Sequence, residues 1–333
     1  MQTATQTTGE LRVLVRGTYD LQKLRIQMGN RIVGNFKVKL GQEPSESEDV
    51  LEEDAKELLK MIRTSYDLIT DGVIENLPTR KKFKAQGVIS TYTELVLVSA
   101  YISIERDEKR HFARFESVLE DYPIWNAWLR GVIGIGPSMG GVIISELDPH
   151  SAKYPSSFWA YAGLDVAEDG QGRSRRKEHL VEREYVNKKG EKDTRMSITF
   201  NPWLKTKLMG VLAASFIKTS RFHTIQQLDA MQSMTKAQRK KVKPEGEYKS
   251  PYTKIYYEYK HRLESNPAHD EKTKGHRNNM ALRYMIKIFL IDLHREWRAL
   301  EGLPPSVTYA EAKLEMSHTE HETHNEIASQ IIK

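Results

Sequence analysis

The chain of 333 residues contains no cysteine. Disulfide bonds, thiolate zinc sites and cysteine nucleophiles are therefore excluded, so any catalysis has to use oxygen or imidazole side chains or a bound metal. The sequence also lacks any run near the roughly 18 consecutive apolar residues that a membrane-spanning helix needs. Its first residues lack the apolar segment of a secretion signal. We therefore expect a globular, cytoplasmic protein with no membrane partner.

Positive charge is in modest excess but unevenly distributed along the chain. The formal net charge is +6; residues 42–57 carry eight carboxylates and one lysine, whereas residues 201–262 carry thirteen Lys or Arg residues and four acids. A concentrated positive surface attracts polyanions, although a charge run is also the ordinary composition of a solvated face. We expect the C-terminal half to face a polyanion.

Apolar residues recur at three- and four-residue steps through much of the chain, which predicts a mainly α fold. We expect a long N-terminal helical hairpin or coiled coil over 1–110, a helix-hairpin-helix domain over 111–225, a basic helical region over 226–314 and a polar tail over 315–333. Residues 88–104 are rich in β-branched side chains, but the length of the segment favours a helix. The runs HLVEREYV and TRMSITF alternate with the period of a strand and predict a small β-hairpin.

The segment WNAWLRGVIGIGPSMGGVIISELD, residues 125–148, is typical of a helix-hairpin-helix. Gly134 and Gly136 can adopt positive φ and carry no side chain, while Pro137 suits the first turn of a helix. Free amides at that helix start would bind a phosphate of DNA, although a plain helix-helix corner would need the same glycines. The predicted DNA contacts are Arg130, Gly134, Ile135, Gly136, Pro137 and Ser138.

The last long helix, predicted over residues 276–300, carries one basic stripe on an otherwise apolar surface. This stripe fits either a solvated face or a rail for phosphates, and the sequence leaves both open. Its members are His276, Arg283, Lys287, His294 and Arg298.

Four segments together resemble a known family, the transposases of the insertion sequences numbered one-hundred-and-ten, one-hundred-and-sixteen and nine-hundred-and-two, with the Piv and MooV DNA invertases. They are GIGPSMGGVIISELD, FWAYAGL with a basic Gly/Ser loop after it, NPWLKTKLMGVLAASF, and GHRNNMALRYMIKIFLIDLHREWRALEGLPPSVTYAEAKL. The resemblance covers roughly residues 121–314. It implies a DNA-recombining protein of a mobile element, with a ribonuclease-H-like domain that binds metal through four acids, a second domain with a nucleophilic serine, and in some members a guide RNA.

This chain departs from that pattern at two places. The N-terminal third shows no alternating strand-helix-strand pattern, so the metal-binding domain is missing from our prediction. Where the family places its serine, this chain has Asp169, Gly170 and Gln171; the nearest hydroxyl is Ser174, followed by Arg175 where the family often has glycine.

Ser174 is our candidate nucleophile because serine attack on a phosphodiester needs cations that neutralise the developing charge. The same cations could equally hold only a DNA backbone. Asp165, Glu168 and Asp169 could bind Mg²⁺, or pair with the neighbouring arginines instead. The cations, also predicted DNA contacts, are Arg173, Arg175, Arg176 and Lys177.

We therefore expect a DNA-binding transposase or recombinase that forms oligomers through its N-terminal helices. The alternatives are an inactive DNA-binding accessory relative and a helical scaffold whose hairpin only packs.

Overall fold

A computed structural model of the protein describes residues 4–41, 53–219 and 221–304. The fold is mainly helical with a small β-hairpin, which confirms the predicted class. No helix in these ranges is long and apolar enough to cross a membrane. The acidic stretch at 42–52 and the predicted polar tail lie outside the described residues. The chain divides into two compact units, Met1–Val118 and Leu119–Lys333; the domain boundaries expected at 110, 225 and 314 stay predictions.

The N-terminal unit contains three long helices: α1 (Ala4–Lys39), α2 (Glu53–Thr70) and α3 (Tyr92–Leu119). The last of them reaches the unit boundary. The segment rich in β-branched residues is helical from Tyr92, as predicted. Each helix turns one apolar face inward, because side chains three and four residues apart lie on the same side. The shared core includes Ile32, Phe36, Leu58, Ile62, Tyr66, Leu95 and Val98.

The C-terminal unit contains short helices, one β-hairpin and two longer helices. Its strands are antiparallel, with Val181 opposite Ser197 and Val186 opposite Lys192, so the predicted hairpin is confirmed. The elements are α4 (Pro123–Ala127), α5 (Pro137–Glu146), α6 (Pro155–Tyr161), β1 (Val181–Val186), β2 (Lys192–Ser197), α7 (Pro202–Thr206), a π-helical segment (Lys207–Leu212), α8 (Ala213–Lys218), α9 (Ile225–Gln232), α10 (Lys236–Arg239), α11 (Pro251–Glu264) and α12 (Lys274–Leu300).

Proline and threonine residues set where many of these helices begin. Proline occupies the first turn of α4, α5, α6, α7 and α11, where its missing N–H costs no intrahelical hydrogen bond. The side chains of Thr224, Thr235 and Thr273 accept hydrogen bonds from first-turn amides of α9, α10 and α12. The helix starts are therefore readable from the sequence.

Phe289 of α12 is the centre of the C-terminal core. Its ring centroid lies 5.9 Å from that of Trp128, 5.6 Å from that of Phe216 and 5.5 Å from that of Tyr252. These contacts join the end of α4, together with α8 and α11, to the buried face of α12. Aromatic clusters of this kind bury a large apolar area and fix the relative positions of the elements that carry them.

The basic stripe of α12 is not a continuous solvated face. His294 is fully buried, and its Nε2 lies 2.8 Å from the carbonyl oxygen of Ala152. Arg298 is 8% exposed and donates from Nη1 to the carbonyl oxygens of Pro149 and Ala152. This end of the stripe therefore anchors the segment before α6. It is neither a solvated face nor a surface exposed for binding phosphates.

Burial of His294 should make the protein less stable in mild acid. Burial lowers the pKa of His294 below its ordinary value, so between these two values the unfolded chain binds a proton that the native protein does not. The free energy of unfolding should fall as the pH drops below about 6.5, by at most about 1.4 kcal/mol per pH unit from this residue. Urea denaturation of the wild type and His294→Gln over this range measures the effect.

The matched control for this measurement is His276→Gln, which changes an exposed histidine at the other end of the same helix. It should keep the wild-type dependence on pH, whereas His294→Gln should flatten it. Equal curves for His294→Gln and the wild type would show that His294 takes no part in the acid response.

Candidate nucleic-acid interface

The predicted helix-hairpin-helix has a short first arm and a longer second one. The first arm is α4 followed by a 3-10 turn at Leu129–Gly131, and the second is α5. Between them, Ile135 donates its amide to the carbonyl oxygen of Val132 over 3.0 Å. A Cβ on Gly140 would lie 2.5 Å from the Trp125 ring, so the missing side chain lets α5 approach the first arm closely.

Gly134 and Gly136 have different conformations and different surroundings. Gly134 has φ +104, as predicted, whereas Gly136 has φ −102, so the prediction of positive φ is wrong for Gly136. The carbonyl oxygen of Gly134 accepts a hydrogen bond of 2.7 Å from Ser215 Oγ. Gly136 is exposed, and a Cβ placed there would meet nothing within 4 Å. The bend is therefore packed against α8 on one side and open on the other.

The start of α5 presents fewer free amides than the sequence suggested. Pro137 has no N–H, and the amides of Met139 and Gly140 both donate to the carbonyl oxygen of Gly136. The amide of Ser138 is left as the first-turn donor without an acceptor inside the helix, because the helix geometry provides none. Ile135 is 7% exposed and faces the core, whereas Arg130, six residues before Gly136, is exposed. A phosphate contact at this bend would use Gly136, Ser138 and Arg130.

The loop between α6 and β1 places Ser174, His179 and Asp169 in one hydrogen-bonded chain. Ser174 Oγ lies 3.0 Å from His179 Nδ1, and His179 Nε2 lies 3.0 Å from Asp169 Oδ2. The imidazole is buried, with 1% of its side chain exposed, while Ser174 is half-buried. A hydroxyl, an imidazole and a carboxylate in this order form the arrangement that activates serine nucleophiles in many enzymes.

The hydrogen bonds around His179 select one tautomer. The backbone N–H of Ser174 donates to Nδ1 over 2.9 Å, so Nδ1 is an acceptor and the neutral ring carries its proton on Nε2, which donates to Asp169. The bond from His179, with a second from the amide of Gln171, holds the pKa of Asp169 below its ordinary value. The ionised carboxylate can therefore stabilise an imidazolium when Nδ1 takes a proton from Ser174.

Arg176 supplies positive charge directly at the serine hydroxyl. Its Nε donates to Ser174 Oγ over 3.1 Å, and its Nη2 donates to the side-chain oxygen of Gln171 over 3.2 Å. A guanidinium at this distance favours the anionic form of the hydroxyl and would lie beside a phosphate that the hydroxyl attacks. The structure therefore places the guanidinium of Arg176 at the hydroxyl of Ser174, the candidate nucleophile.

The other predicted cations of this loop divide into an inner and an outer set. Arg175 and Lys177 are exposed. Arg173 turns inward, where its Nε donates to Asp165 Oδ2 over 2.6 Å and its side chain is 22% exposed. The outer set is therefore available to a nucleic-acid backbone, while Arg173 belongs to a separate cluster beneath the loop.

A cavity of about 680 Å³ opens between the Ser174 loop and the β-hairpin. Its lining includes the side chains of Arg175, Arg183 and Arg195, together with the carboxylate of Glu184. Arg183 and Arg195 are direct partners across the two strands. Both side chains are exposed, so they add positive charge at the rim of this cavity.

Two of the three carboxylates that could either bind Mg²⁺ or pair with neighbouring side chains have partners close to or within the Ser174 loop. Asp165 accepts from Arg173, and Asp169 accepts from His179. Across the described ranges, no group of three His, Asp or Glu side chains is placed to hold a metal ion. The described residues therefore do not fit the metal centre of four acids that the family resemblance implies.

His179 is the functional residue that reasoning from the sequence missed. It stands five residues after Ser174, as Asp169 stands five residues before it. The equal spacing is a weak signal, because it indicates contact only when the loop folds back on itself. The isolated bridge between Val166 and Gly172, with Gly170 at φ +74, makes that turn.

No known protein family matches the chain, and no curated protein matches it significantly. The resemblance to the transposases therefore rests on the four sequence segments alone.

Proposed function

We propose that the protein is a DNA-binding transposase-like or recombinase-like protein of a mobile element, in which Ser174 is the nucleophile. The observation that carries this proposal is the chain from Ser174 through His179 to Asp169, set among exposed cations. This arrangement of serine, histidine and aspartate, which we call the relay, would by itself also fit the hydrolysis of many acyl compounds. Arg175, Arg176 and Lys177 around the hydroxyl favour a phosphodiester instead, since its reaction places negative charge on the phosphoryl oxygens.

In this proposal, Ser174 Oγ attacks the phosphorus of a DNA phosphodiester. The Oγ–P bond forms and one bridging P–O bond breaks, while the proton of Oγ passes to His179 Nδ1. The leaving deoxyribose oxygen takes a proton from water. Arg176 balances the charge on the phosphoryl oxygens, and the bend at Gly136 holds the backbone of the same DNA through Ser138 and Arg130.

The alternative is a DNA-binding accessory protein without strand-transfer chemistry. The absence of a metal-binding carboxylate group from the described residues favours it, because the family is implied to need such a domain. Guide RNA and oligomers formed through the N-terminal helices are further parts of the proposal, and light scattering with and without co-purified RNA tests both.

A gel-shift series against duplex, branched and single-stranded DNA, followed by a cleavage assay in Mg²⁺ buffer on the same substrates, separates these functions. We expect binding that weakens steeply as salt rises, because each neutralised phosphate releases counterions, together with strand cleavage. Salt-sensitive binding without cleavage would support the alternative, a DNA-binding accessory protein. If the protein retains no DNA even at low salt, both DNA-binding functions are refuted, and the remaining hypothesis is a helical scaffold whose hairpin only packs.

A further inference from the structure

Four cationic side chains converge beneath the Ser174 loop, around a single carboxylate. We define this inner cation cluster as Arg173 from the loop, Lys205 from α7, and Arg283 and Lys287 from α12, together with Asp165. All five residues are half-buried. Four formal positive charges against one negative charge leave an excess that nothing in the cluster neutralises.

The cations are held by carbonyl oxygens and aromatic rings as much as by the carboxylate. Lys205 Nζ donates to the carbonyl oxygen of Arg173 over 2.5 Å and lies 4.8 Å from the centroid of the Phe200 ring. Lys287 Nζ lies 4.9 Å from the centroid of the Trp159 ring. Oδ1 of Asp165 is buried and accepts no hydrogen bond. These contacts orient the charges without cancelling them.

The charge balance of the cluster is unfavourable without an added anion. Burial and the neighbouring Arg283 lower the pKa of Lys205 to about 8, and the same two causes lower the pKa of Lys287. Burial also lowers the pKa of Arg283. Half-buried cations that repel one another are stabilised by an anion that contacts several of them at once.

Glycine at position 172 makes room for this arrangement. The guanidinium of Arg283 occupies the space that a Cβ on Gly172 would fill, and its Nη1 lies 3.5 Å from the carbonyl oxygen of Asp165. The cluster therefore lies directly under the loop that continues to Ser174. An anion bound there would be close to the strand that the proposed nucleophile attacks.

We propose that the inner cation cluster is a phosphate-binding site that holds a phosphodiester of the bound DNA strand beside Ser174. The DNA part of this proposal rests on the proposed function, whereas the phosphate chemistry does not. Half-buried lysine and arginine side chains favour a compact anion whose several oxygens can accept hydrogen bonds from more than one of them. A free phosphate ion and a strand phosphodiester share that chemistry.

The first experiment uses inorganic phosphate against sodium chloride of equal ionic strength, without DNA. At about ten times its Kd, phosphate should raise the melting temperature of the wild type by about 3 °C. Lys205→Met and Lys287→Met should lose this shift, and each should melt at or above the wild-type temperature without phosphate because one repelling charge is gone. Equal phosphate shifts in all proteins, or clearly lower melting of both variants, would overturn the site.

Lys207→Met is the matched control. Lys207 is also half-buried and lies 5.5 Å from an aromatic ring centroid, that of Trp203, but burial alone lowers its pKa. This variant should keep the wild-type phosphate shift. Loss of the shift in Lys207→Met would show a general effect of buried charge and would overturn the site.

The second experiment measures the affinity for a DNA oligonucleotide. Lys205→Met should bind about tenfold more weakly than the wild type, because a charged hydrogen bond is lost, while Lys207→Met should stay within about twofold. If the phosphate shift holds but Lys205→Met binds DNA normally, free phosphate is the ligand and the strand contact is refuted. If the phosphate shift holds and the wild type binds no DNA, the proposed function fails while the phosphate site stands.

Discussion

Ser174→Ala is expected to abolish strand cleavage, with a rate lower by about 10³-fold or more, while DNA binding stays within about twofold. The hydroxyl is the group that forms the new bond to phosphorus, and alanine has nothing to replace it. The loop should keep its shape, because the backbone N–H of Ser174 still donates to His179. Single-turnover cleavage of labelled branched DNA, with gel shifts on the same substrate, measures both quantities.

Ser197→Ala is the control for this prediction, because Ser197 lines the adjacent cavity but belongs to β2 and not to the relay. It should cleave at close to the wild-type rate. If Ser174→Ala cleaved as fast as Ser197→Ala, Ser174 would not be the nucleophile, and the hydrogen bonds around it would have only a structural role.

Substitutions of Ser174 and of its partner His179 should lower the cleavage rate in a non-additive way. His179→Gln should lower the cleavage rate about as much as Ser174→Ala, and the double variant should be no slower than either single variant, since the groups act in one step. Asp169→Asn should cost less, because the carboxylate orients and stabilises the imidazole without touching the substrate. Additive losses in the double variant would show that Ser174 and His179 act independently.

Elements with a regular period were predictable from the sequence. In α2, the spacing of Leu58, Ile62 and Tyr66 placed these side chains on one face, and all three are buried. The two alternating runs around residue 189 form the β-hairpin. In each case the burial of one face decides the local structure, so the pattern of apolar residues carries enough information.

The residues of the candidate site contact one another at sequence separations that follow no helix or strand period. His179 reaches Ser174 only because an irregular loop reverses near Gly170, and Lys205 meets Arg283 across 78 positions of the chain. The basic stripe of α12 shows the same limit: its spacing is correct for one face, but the sequence does not say that His294 and Arg298 face backbone carbonyls. Such placements follow from tertiary packing.

Gly134→Ala should destabilise the protein strongly, with a loss of about 2–4 kcal/mol in the free energy of unfolding. Gly134 has φ +104, a conformation that alanine adopts only with strain. The new methyl group would also lie 2.7 Å from Cδ1 of Phe216, which is fully buried and packs against Phe289 and Tyr252. Urea denaturation compared with the wild type measures the loss.

Gly136→Ala provides the contrast, because the two glycines are two residues apart in the same bend. Gly136 is the residue before the first turn of α5, where alanine is less favourable than glycine; at φ −102 with nothing within 4 Å of the added Cβ, the substitution should cost no more than about 1 kcal/mol in the free energy of unfolding. Because the Gly136→Ala protein should stay folded, it tests the role of the open side of the bend in DNA binding separately from its role in stability. If this side holds the DNA backbone, the methyl group blocks the close approach of a phosphate to the Ser138 amide, and affinity for duplex DNA should fall about tenfold. Unchanged affinity in a stably folded Gly136→Ala protein would mean that the bend only packs against α8, and the DNA contacts would have to lie elsewhere, on the Ser174 loop, the inner cation cluster and the arginine-lined cavity.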